Sequence, residues 1–169
     1  FVLLAVSIAV PSTAQESPMR YEVPETVSPE AKVALQQTYG LLSQIAQAPQ
    51  SAPSTGEEWD ARNARAEAVI GPIVAANAEA LGVTVESDTI GGVSVLRIRP
   101  PGYTPQNRSL IYAHGGGYVL FSARTSLTVP ALMAVASGDE VISVAYTLAP
   151  RGNWKTATDE LIAVYRGAL

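Results

Sequence analysis

The chain of 169 residues contains no cysteine and a single histidine, His114. The missing cysteine excludes disulfide bonds, thiolate metal ligands and a cysteine nucleophile. One histidine without a local cluster of acidic residues is too little for a structural or catalytic zinc site. We therefore expect no metal and no other cofactor.

Basic residues are also scarce. Eleven lysines and arginines stand against fifteen acidic residues, which gives a formal net charge of −4. They form no stripe or cluster, which a nucleic-acid surface would need to offset phosphate charge, so we expect no nucleic-acid partner. The apolar content of 47% is ordinary for a globular protein, and the length suffices for one domain with a hydrophobic core.

The N-terminus carries a short apolar run. The first ten residues are almost entirely apolar, and small Ser12 and Ala14 precede a polar stretch. This pattern is typical of a secretory signal peptide over residues 1–14, and the run is too short to span a bilayer by itself. We predict a secreted or periplasmic protein with an extended segment over residues 15–28. The alternatives are an anchor that begins upstream, since no positive n-region or Met is present, and a buried or fraying N-terminus.

Helical periodicity dominates residues 29–81. The first helix begins at the Ser-Pro pair of residues 28–29. A second helix is predicted over residues 57–81, and Gly71-Pro72 should kink or split it. Its apolar side should consist of Trp59, Ala66, Ile70, Ile73 and Val74.

From residue 83 onward the sequence predicts strands and helices in alternation. Alternating segments on either side of Gly91-Gly92 predict an antiparallel hairpin. Residues 109–113 and 141–146 are apolar without alternation, which indicates strands buried on both faces, the first of them central. Helices are predicted over residues 126–137 and 155–169, the last with Leu161, Ile162, Val164 and Tyr165 as its core face. The fold class is therefore α/β, a hairpin followed by strands of a largely parallel sheet with crossover helices.

The most informative motif is the His-Gly-Gly-Gly tetrapeptide at residues 114–117, which follows the strand over residues 109–113. Three glycines let the backbone turn sharply and bring bare N–H groups against a ligand. At the end of a strand, such groups can stabilise an oxygen that becomes negative during acyl transfer. The alternative is that the glycines make only a flexible turn.

From Val83 onward, about half of the chain resembles the α/β-hydrolase fold of hormone-sensitive-lipase-like esterases and lactone hydrolases. The resemblance rests on the strand that runs into the tetrapeptide, on the Tyr-Thr-Leu-Ala-Pro stretch at residues 146–150, and on the helix after it. It implies that residues 83–169 are the N-terminal half of a hydrolase domain. The helices over residues 29–81 would then be a cap over the active site.

Three positions depart from the family pattern. Ala145, Thr147 and Arg151 stand where the family usually has Asp, Arg and Glu. These positions support the carboxyl edge of the sheet. The departure therefore concerns the loop around Tyr146 and not the fold.

The resemblance also implies roles for the residues around the tetrapeptide. The N–H groups of Gly115 and Gly116 would form the oxyanion hole, with a third donor from the residue after the nucleophile. His114 would brace the loop by hydrogen bonds and not act as the base, because the histidine of such a triad comes last in the chain. The supporting residues would be His114, Gly117, Tyr118 and Tyr146.

Two of these supporting residues are tyrosines. Tyr118 is expected to pack in the core, with lining of the acyl pocket as the alternative. Tyr146 is expected to hydrogen-bond backbone near the oxyanion loop.

The sequence contains no Gly-x-Ser-x-Gly, the motif that presents the serine of such enzymes on a strand-to-helix turn. Ser94 follows Gly92, but Leu96 occupies the second-glycine position and Ser94 lies in a predicted strand. Asp159 comes too early in the chain to be the triad acid. We predict no nucleophile, acid or base in this chain, and expect it to be a cut or truncated form that is inactive alone.

Two hypotheses for the function follow. The first is a secreted serine hydrolase of small-molecule esters or lactones, present here as an incomplete chain. The second is a non-catalytic truncated remnant or binding protein, which would have to cover the sheet edge after the strand over residues 141–146. A weaker third hypothesis is a hydrolase of amides or formamides. The sequence determines neither the oligomeric state nor the acyl preference.

Overall fold

The computed structural model describes residues 22–47 and 53–169. The chain divides into two compact units between Ser51 and Ala52. The predicted signal peptide and the first part of the predicted extended segment lie outside the described residues.

The first unit contains helix α1 (Pro29–Gln47). It begins where the sequence predicts, because Ser28 Oγ accepts a hydrogen bond from the Ala31 N–H at 3.2 Å. This bond satisfies one of the free amides of the first turn.

The second unit is a four-stranded sheet with helices on both faces. Its helices are α2 (Gly56–Ala80), α3 (Thr128–Ser137) and α4 (Trp154–Ala168). Its strands are β1 (Thr84–Ile90), β2 (Val93–Arg99), β3 (Ser109–Ala113) and β4 (Glu140–Val144). Their order in the sheet is β1-β2-β4-β3.

The sheet is mixed. β1 and β2 form the predicted hairpin, which is confirmed, and β2 also pairs antiparallel with β4. Only β3 and β4 are parallel. The expectation of a largely parallel sheet is therefore wrong for the described residues, because the hairpin supplies two of the four strands.

The strand β3 is not the central strand that its apolar sequence predicts. It is only half-buried, and within the described residues it pairs with β4 alone. β4 lies between β2 and β3 and is buried at every position. The edge that the second hypothesis would have to cover therefore belongs to β3 and not to the strand over residues 141–146.

The two faces of the sheet have separate cores. α2 and α3 pack on one face, and α4 packs on the other. The first core includes Val74, Ala78, Leu96, Ile98, Leu127, Ala131 and Val141. The second includes Ile90, Val95, Ile142, Val144, Tyr146, Ala157 and Val164.

Two details of the helices differ from expectation. α2 continues through Pro72 as one helix, so of the predicted kink or split, the split is wrong. The packing of Val74 and Ala78 in the core on the next turns offsets the cost of the proline. Ile73, Ile162 and Tyr165 are each at least 42% exposed, so they are not on the core faces predicted for them.

Candidate active site

The tetrapeptide at residues 114–117, called the glycine loop below, begins at the end of β3. The ring of His114 is buried, and its Nδ1 lies 2.8 Å from the Gly115 carbonyl oxygen. The Gly116 carbonyl oxygen accepts hydrogen bonds from Val119 N–H at 3.2 Å and Leu120 N–H at 3.0 Å. The carbonyls of Gly115 and Gly116 therefore contact the protein itself.

The amides of the glycine loop are free. Among the described residues, the N–H groups of Gly115, Gly116 and Gly117 donate no hydrogen bond. Bare amides with their carbonyls bound elsewhere are the arrangement that accepts an anionic oxygen.

Only one of the three positions requires glycine for space. Gly116 has φ of +120°, and a Cβ there would lie 2.1 Å from the Leu120 carbonyl oxygen. No side chain can occupy that position without a shift of the backbone. A Cβ at Gly115 or Gly117 would meet nothing within 4 Å, so the space beside these amides is open.

A cavity of about 250 Å³ adjoins the loop. Its lining includes His114, Gly115, Gly117, Tyr118, Tyr146 and Leu161. Free amides on one side and aromatic and aliphatic side chains on the other suit a small molecule with a polar head and an apolar tail.

Tyr118 does not pack in the core as expected. Its side chain is 47% exposed, and its backbone has a positive φ of 64°. Because the chain turns away from the sheet after the glycine loop, Tyr118 lies at the cavity, with its ring edge-on to Tyr146 at 6.2 Å. The alternative of pocket lining fits this position better.

Tyr146 is buried beside the loop. Its hydroxyl donates to the His114 carbonyl oxygen at 2.6 Å, which confirms the predicted hydrogen bond to backbone. Its ring also stacks on the His114 ring, with centroids 4.3 Å apart. Burial, with smaller effects of Tyr118 and Tyr112, raises the pKa of the Tyr146 hydroxyl, so it stays a donor.

Burial determines the charge state of the His114 imidazole. Burial lowers the pKa of its imidazole, and the hydrogen bond with the Gly115 carbonyl opposes this shift without cancelling it. The imidazole is therefore neutral at neutral pH. Its position agrees with the predicted bracing of the loop.

Three further residues hold this region, and sequence reasoning missed them. Asn63 of α2 donates its Nδ2–H to the Val119 carbonyl oxygen at 2.9 Å. The Ala149 N–H donates to the Tyr118 carbonyl oxygen at 2.8 Å. Glu160 of α4 accepts two hydrogen bonds from Thr147, each 2.6 Å long. No local pattern predicts these bonds, because each of them joins distant parts of the sequence.

Ser94 and Asp159, which the sequence excludes as nucleophile and triad acid, lie on other elements of the fold. Ser94 lies within β2, where its carbonyl oxygen accepts from the Ala145 N–H at 3.0 Å. Asp159 forms an exposed ion pair with Lys155 on α4 at 2.5 Å. Neither occupies a strand-to-helix turn.

The described part of the chain contains neither a clustered set of metal ligands nor a helix that could span a membrane. It holds no group of three or more His, Asp or Glu side chains arranged for a metal ion. None of its helices combines the length and apolarity needed to cross a membrane.

The geometry agrees with comparisons to known proteins. Residues 110–169 match the family model of the α/β-hydrolase fold. Esterase E25 superimposes with a TM-score of 0.68 at 22% identity, over 89% of this chain and 46% of that one. The chain has part of the α/β-hydrolase fold. An esterase of the bacterial hormone-sensitive lipase family superimposes with a TM-score of 0.62 at 26% identity, over 83% of this chain and 42% of the other. In fold, this chain is therefore similar to an esterase of that family.

Curated relatives share shorter stretches. LipR of Mycobacterium tuberculosis, named for acetyl-hydrolase activity, is 38% identical over 84 residues, which are 50% of this chain and 27% of LipR. The ethyl acetate hydrolase of Pseudomonas putida is 39% identical over 70 residues, 40% of this chain and 22% of the relative. An acetyl esterase of Salmonella paratyphi B is 37% identical over 65 residues, 37% of this chain and 20% of the relative. The chain thus spans about a quarter of the length of the curated relatives that it matches.

Proposed function

We propose that this chain is part of a serine hydrolase of carboxylic esters, in which the amides of Gly115 and Gly116 form the oxyanion hole. One observation carries the proposal. The amides of Gly115, Gly116 and Gly117 have no acceptor among the described residues, while the Gly115 and Gly116 carbonyls are bound and a cavity lined by Gly115 and Gly117 opens beside the loop.

The chemistry follows from this arrangement. A serine oxygen attacks the ester carbonyl carbon and gives its proton to a base, and the carbonyl electron pair moves onto oxygen. The two amides donate to that oxygen as it becomes negative. As the intermediate collapses, the base returns the proton to the departing oxygen, so that the neutral alcohol leaves, and water then hydrolyses the acyl-enzyme. Loss of one such donor costs about 3 kcal/mol of transition-state stabilisation.

His114 is a brace in this scheme and not the base. Its ring is buried, stacked on Tyr146 and bonded through Nδ1 to the Gly115 carbonyl. We propose that the nucleophile, acid and base come from residues beyond this sequence, so that residues 1–169 alone are inactive.

We propose that the substrates are esters with short acyl groups. The relatives named above are an acetyl-hydrolase, an ethyl acetate hydrolase and an acetyl esterase. A cavity of about 250 Å³ has room for a short acyl chain or a small lactone.

Labelling of the full-length protein tests this function. A fluorophosphonate probe should label one serine, and peptide mapping should find it outside residues 1–169. The same protein should hydrolyse p-nitrophenyl acetate and butyrate faster than the octanoate. Labelling of Ser94, or of any other serine within residues 1–169, would contradict the proposal.

The oxyanion hole can be tested directly. An alkyl trifluoromethyl ketone forms a tetrahedral oxyanion with an active serine. Its addition should shift the amide NMR signals of Gly115 and Gly116 downfield and leave the hairpin residue Gly92 unchanged. If the ketone inhibits and these two amides do not move, the hole lies elsewhere.

The second candidate is a non-catalytic binding protein or remnant. Failure of the probe to label any serine in the full-length protein would support it over the hydrolase. The third hypothesis, a hydrolase of amides or formamides, would be supported if the protein hydrolysed such substrates faster than esters in the same assay.

Secretion is a separate proposal. We propose that residues 1–14 belong to a signal peptide. N-terminal sequencing of the protein from periplasm or medium should find a mature chain that starts near Gln15. A cytoplasmic protein that retains these residues would overturn it.

A further inference from the structure

Both oxygens of the Glu160 carboxylate accept a hydrogen bond from the same residue, Thr147. Thr147 donates its N–H to Oε2 and its hydroxyl to Oε1, both at 2.6 Å. Hydrogen bonds to a carboxylate are short and strong, and two parallel bonds also fix orientation. Glu160 therefore holds Thr147 by its backbone as well as by its side chain.

Glu160 itself sits on a well-anchored helix. Asn153 caps α4 and accepts from the N–H groups of Lys155 and Thr156. Ala157 and Val164, on either side of Glu160 along the helix, are buried in the core. The carboxylate thus transmits the position of α4 to the segment over residues 146–150.

That segment contacts both ends of the glycine loop. Tyr146, next to Thr147, donates to the His114 carbonyl oxygen at 2.6 Å. Ala149 donates its N–H to the Tyr118 carbonyl oxygen at 2.8 Å. These two carbonyls flank the free amides of the loop, so the position of the segment sets the direction in which the amides point.

We propose that Glu160 is a positioning residue for the oxyanion hole, acting through Thr147 on Tyr146 and Ala149. It touches no reacting atom. Its effect on catalysis rests on the proposed function, whereas its effect on loop geometry does not.

Graded variants separate the two hydrogen bonds. Glu160→Ala removes both acceptors. Thr147→Val removes only the hydroxyl donor and keeps the backbone bond. Glu160→Gln keeps the length and one oxygen, and the Thr147 hydroxyl can turn to accept from the new amide. Asp159→Ala is the matched control, because it removes the neighbouring carboxylate of α4, which is exposed and pairs only with Lys155 in the described residues.

The first measurement is loop geometry in the full-length protein. Glu160→Ala should shift the amide signals of Gly115, Gly116 and Gly117 and the ring signals of His114. Thr147→Val should shift them less, and Asp159→Ala should leave them in place. Unchanged glycine and His114 signals in a folded Glu160→Ala variant would overturn the proposal.

The second measurement is ester hydrolysis. Misplaced donors lower transition-state binding more than substrate binding. Glu160→Ala should lower kcat about ten- to a hundred-fold with KM nearly unchanged, and Glu160→Gln should recover most of the loss. Equal losses in Glu160→Ala and Asp159→Ala would contradict positioning.

Two outcomes need separate treatment. If Glu160→Ala does not fold, the Thr147→Val and Glu160→Gln variants test the proposal instead. A Thr147→Val variant with the kcat of wild type and unshifted glycine amide signals would then overturn it. If the wild-type protein hydrolyses no ester, the proposed function fails, and the NMR comparison alone decides the role of Glu160.

Discussion

The hydroxyl of Tyr146 donates to the carbonyl oxygen of His114, and the two rings stack face to face. The two residues follow β4 and β3, which pair in parallel with Ala113 opposite Val144. Both chains therefore leave the sheet at the same edge. This pairing ties the start of the glycine loop to the segment that follows the neighbouring strand.

The first prediction concerns this hydrogen bond. Tyr146→Phe keeps the stacked ring but leaves the buried carbonyl of His114 without its donor. We expect a loss of about 1–2 kcal/mol in the free energy of unfolding, measured by urea denaturation. Tyr165→Phe is the control, since Tyr165 is 56% exposed and should change stability little. Equal effects of the two substitutions would show that the bond contributes nothing net.

The second prediction concerns the space beside Gly116. A methyl group there would lie 2.1 Å from the Leu120 carbonyl oxygen. Gly116→Ala should destabilise the protein by more than about 3 kcal/mol or prevent folding, because overpacking adds to the strain of a left-handed backbone. Thermal unfolding measures the loss.

Gly92→Ala is the matched control for Gly116→Ala. Gly92 also has a positive φ, +81°, but a Cβ there meets nothing within 4 Å. The substitution Gly92→Ala should therefore lower the free energy of unfolding by only about 1 kcal/mol, because of the backbone conformation alone. If the two alanine variants were equally stable, the close approach at Gly116 would not constrain the loop.

Local patterns predicted the hairpin, the glycine loop and the contact of Tyr146. The hairpin follows from alternation around Gly91-Gly92, and the loop follows from three consecutive glycines after an apolar strand. Each signal lies within a few residues. The side chains that hold the surrounding segments are different, because Asn63 bonds to Val119 and Glu160 to Thr147, across 56 and 13 residues of sequence. Such contacts depend on how helices pack, which periodicity does not encode.

The burial of β3 and of Tyr118 was also predicted wrongly from local sequence. The apolar sequence of β3 predicts a central strand, but its place at the edge of the described sheet depends on strand order. Tyr118 was expected to pack in the core. The turn after Gly116 moves it to the cavity instead.

The third prediction concerns pH. Burial holds the pKa of the folded His114 imidazole below its unfolded value of about 6.5. The unfolded chain then binds the proton more readily, so this contribution to stability is complete above about pH 6.5 and is lost as pH falls from there through the lower pKa of the folded protein. We expect wild type to lose more unfolding free energy than His114→Gln between about pH 7.5 and pH 5.5. Parallel pH profiles for the two proteins would contradict this expectation.

The fourth prediction concerns the buried carboxylate of Glu140 at the start of β4. Glu140 is 4% exposed and accepts from Arg97 at 2.7 Å and from Arg99 at 2.8 Å. Glu140→Ala leaves both guanidinium groups without their shared buried acceptor and should cost about 3 kcal/mol of unfolding free energy. Each arginine keeps a second, more exposed carboxylate, which limits the loss.

Glu86→Ala provides the control for Glu140→Ala, because Glu86 pairs with the same Arg99 but its side chain is 60% exposed. Solvent screens that pair, so the substitution should change stability by less than about 1 kcal/mol. Urea unfolding of both variants and of the double variant gives the coupling between the two carboxylates. If Glu140→Ala costs no more than Glu86→Ala, burial does not strengthen the pairing of Glu140 with the arginines.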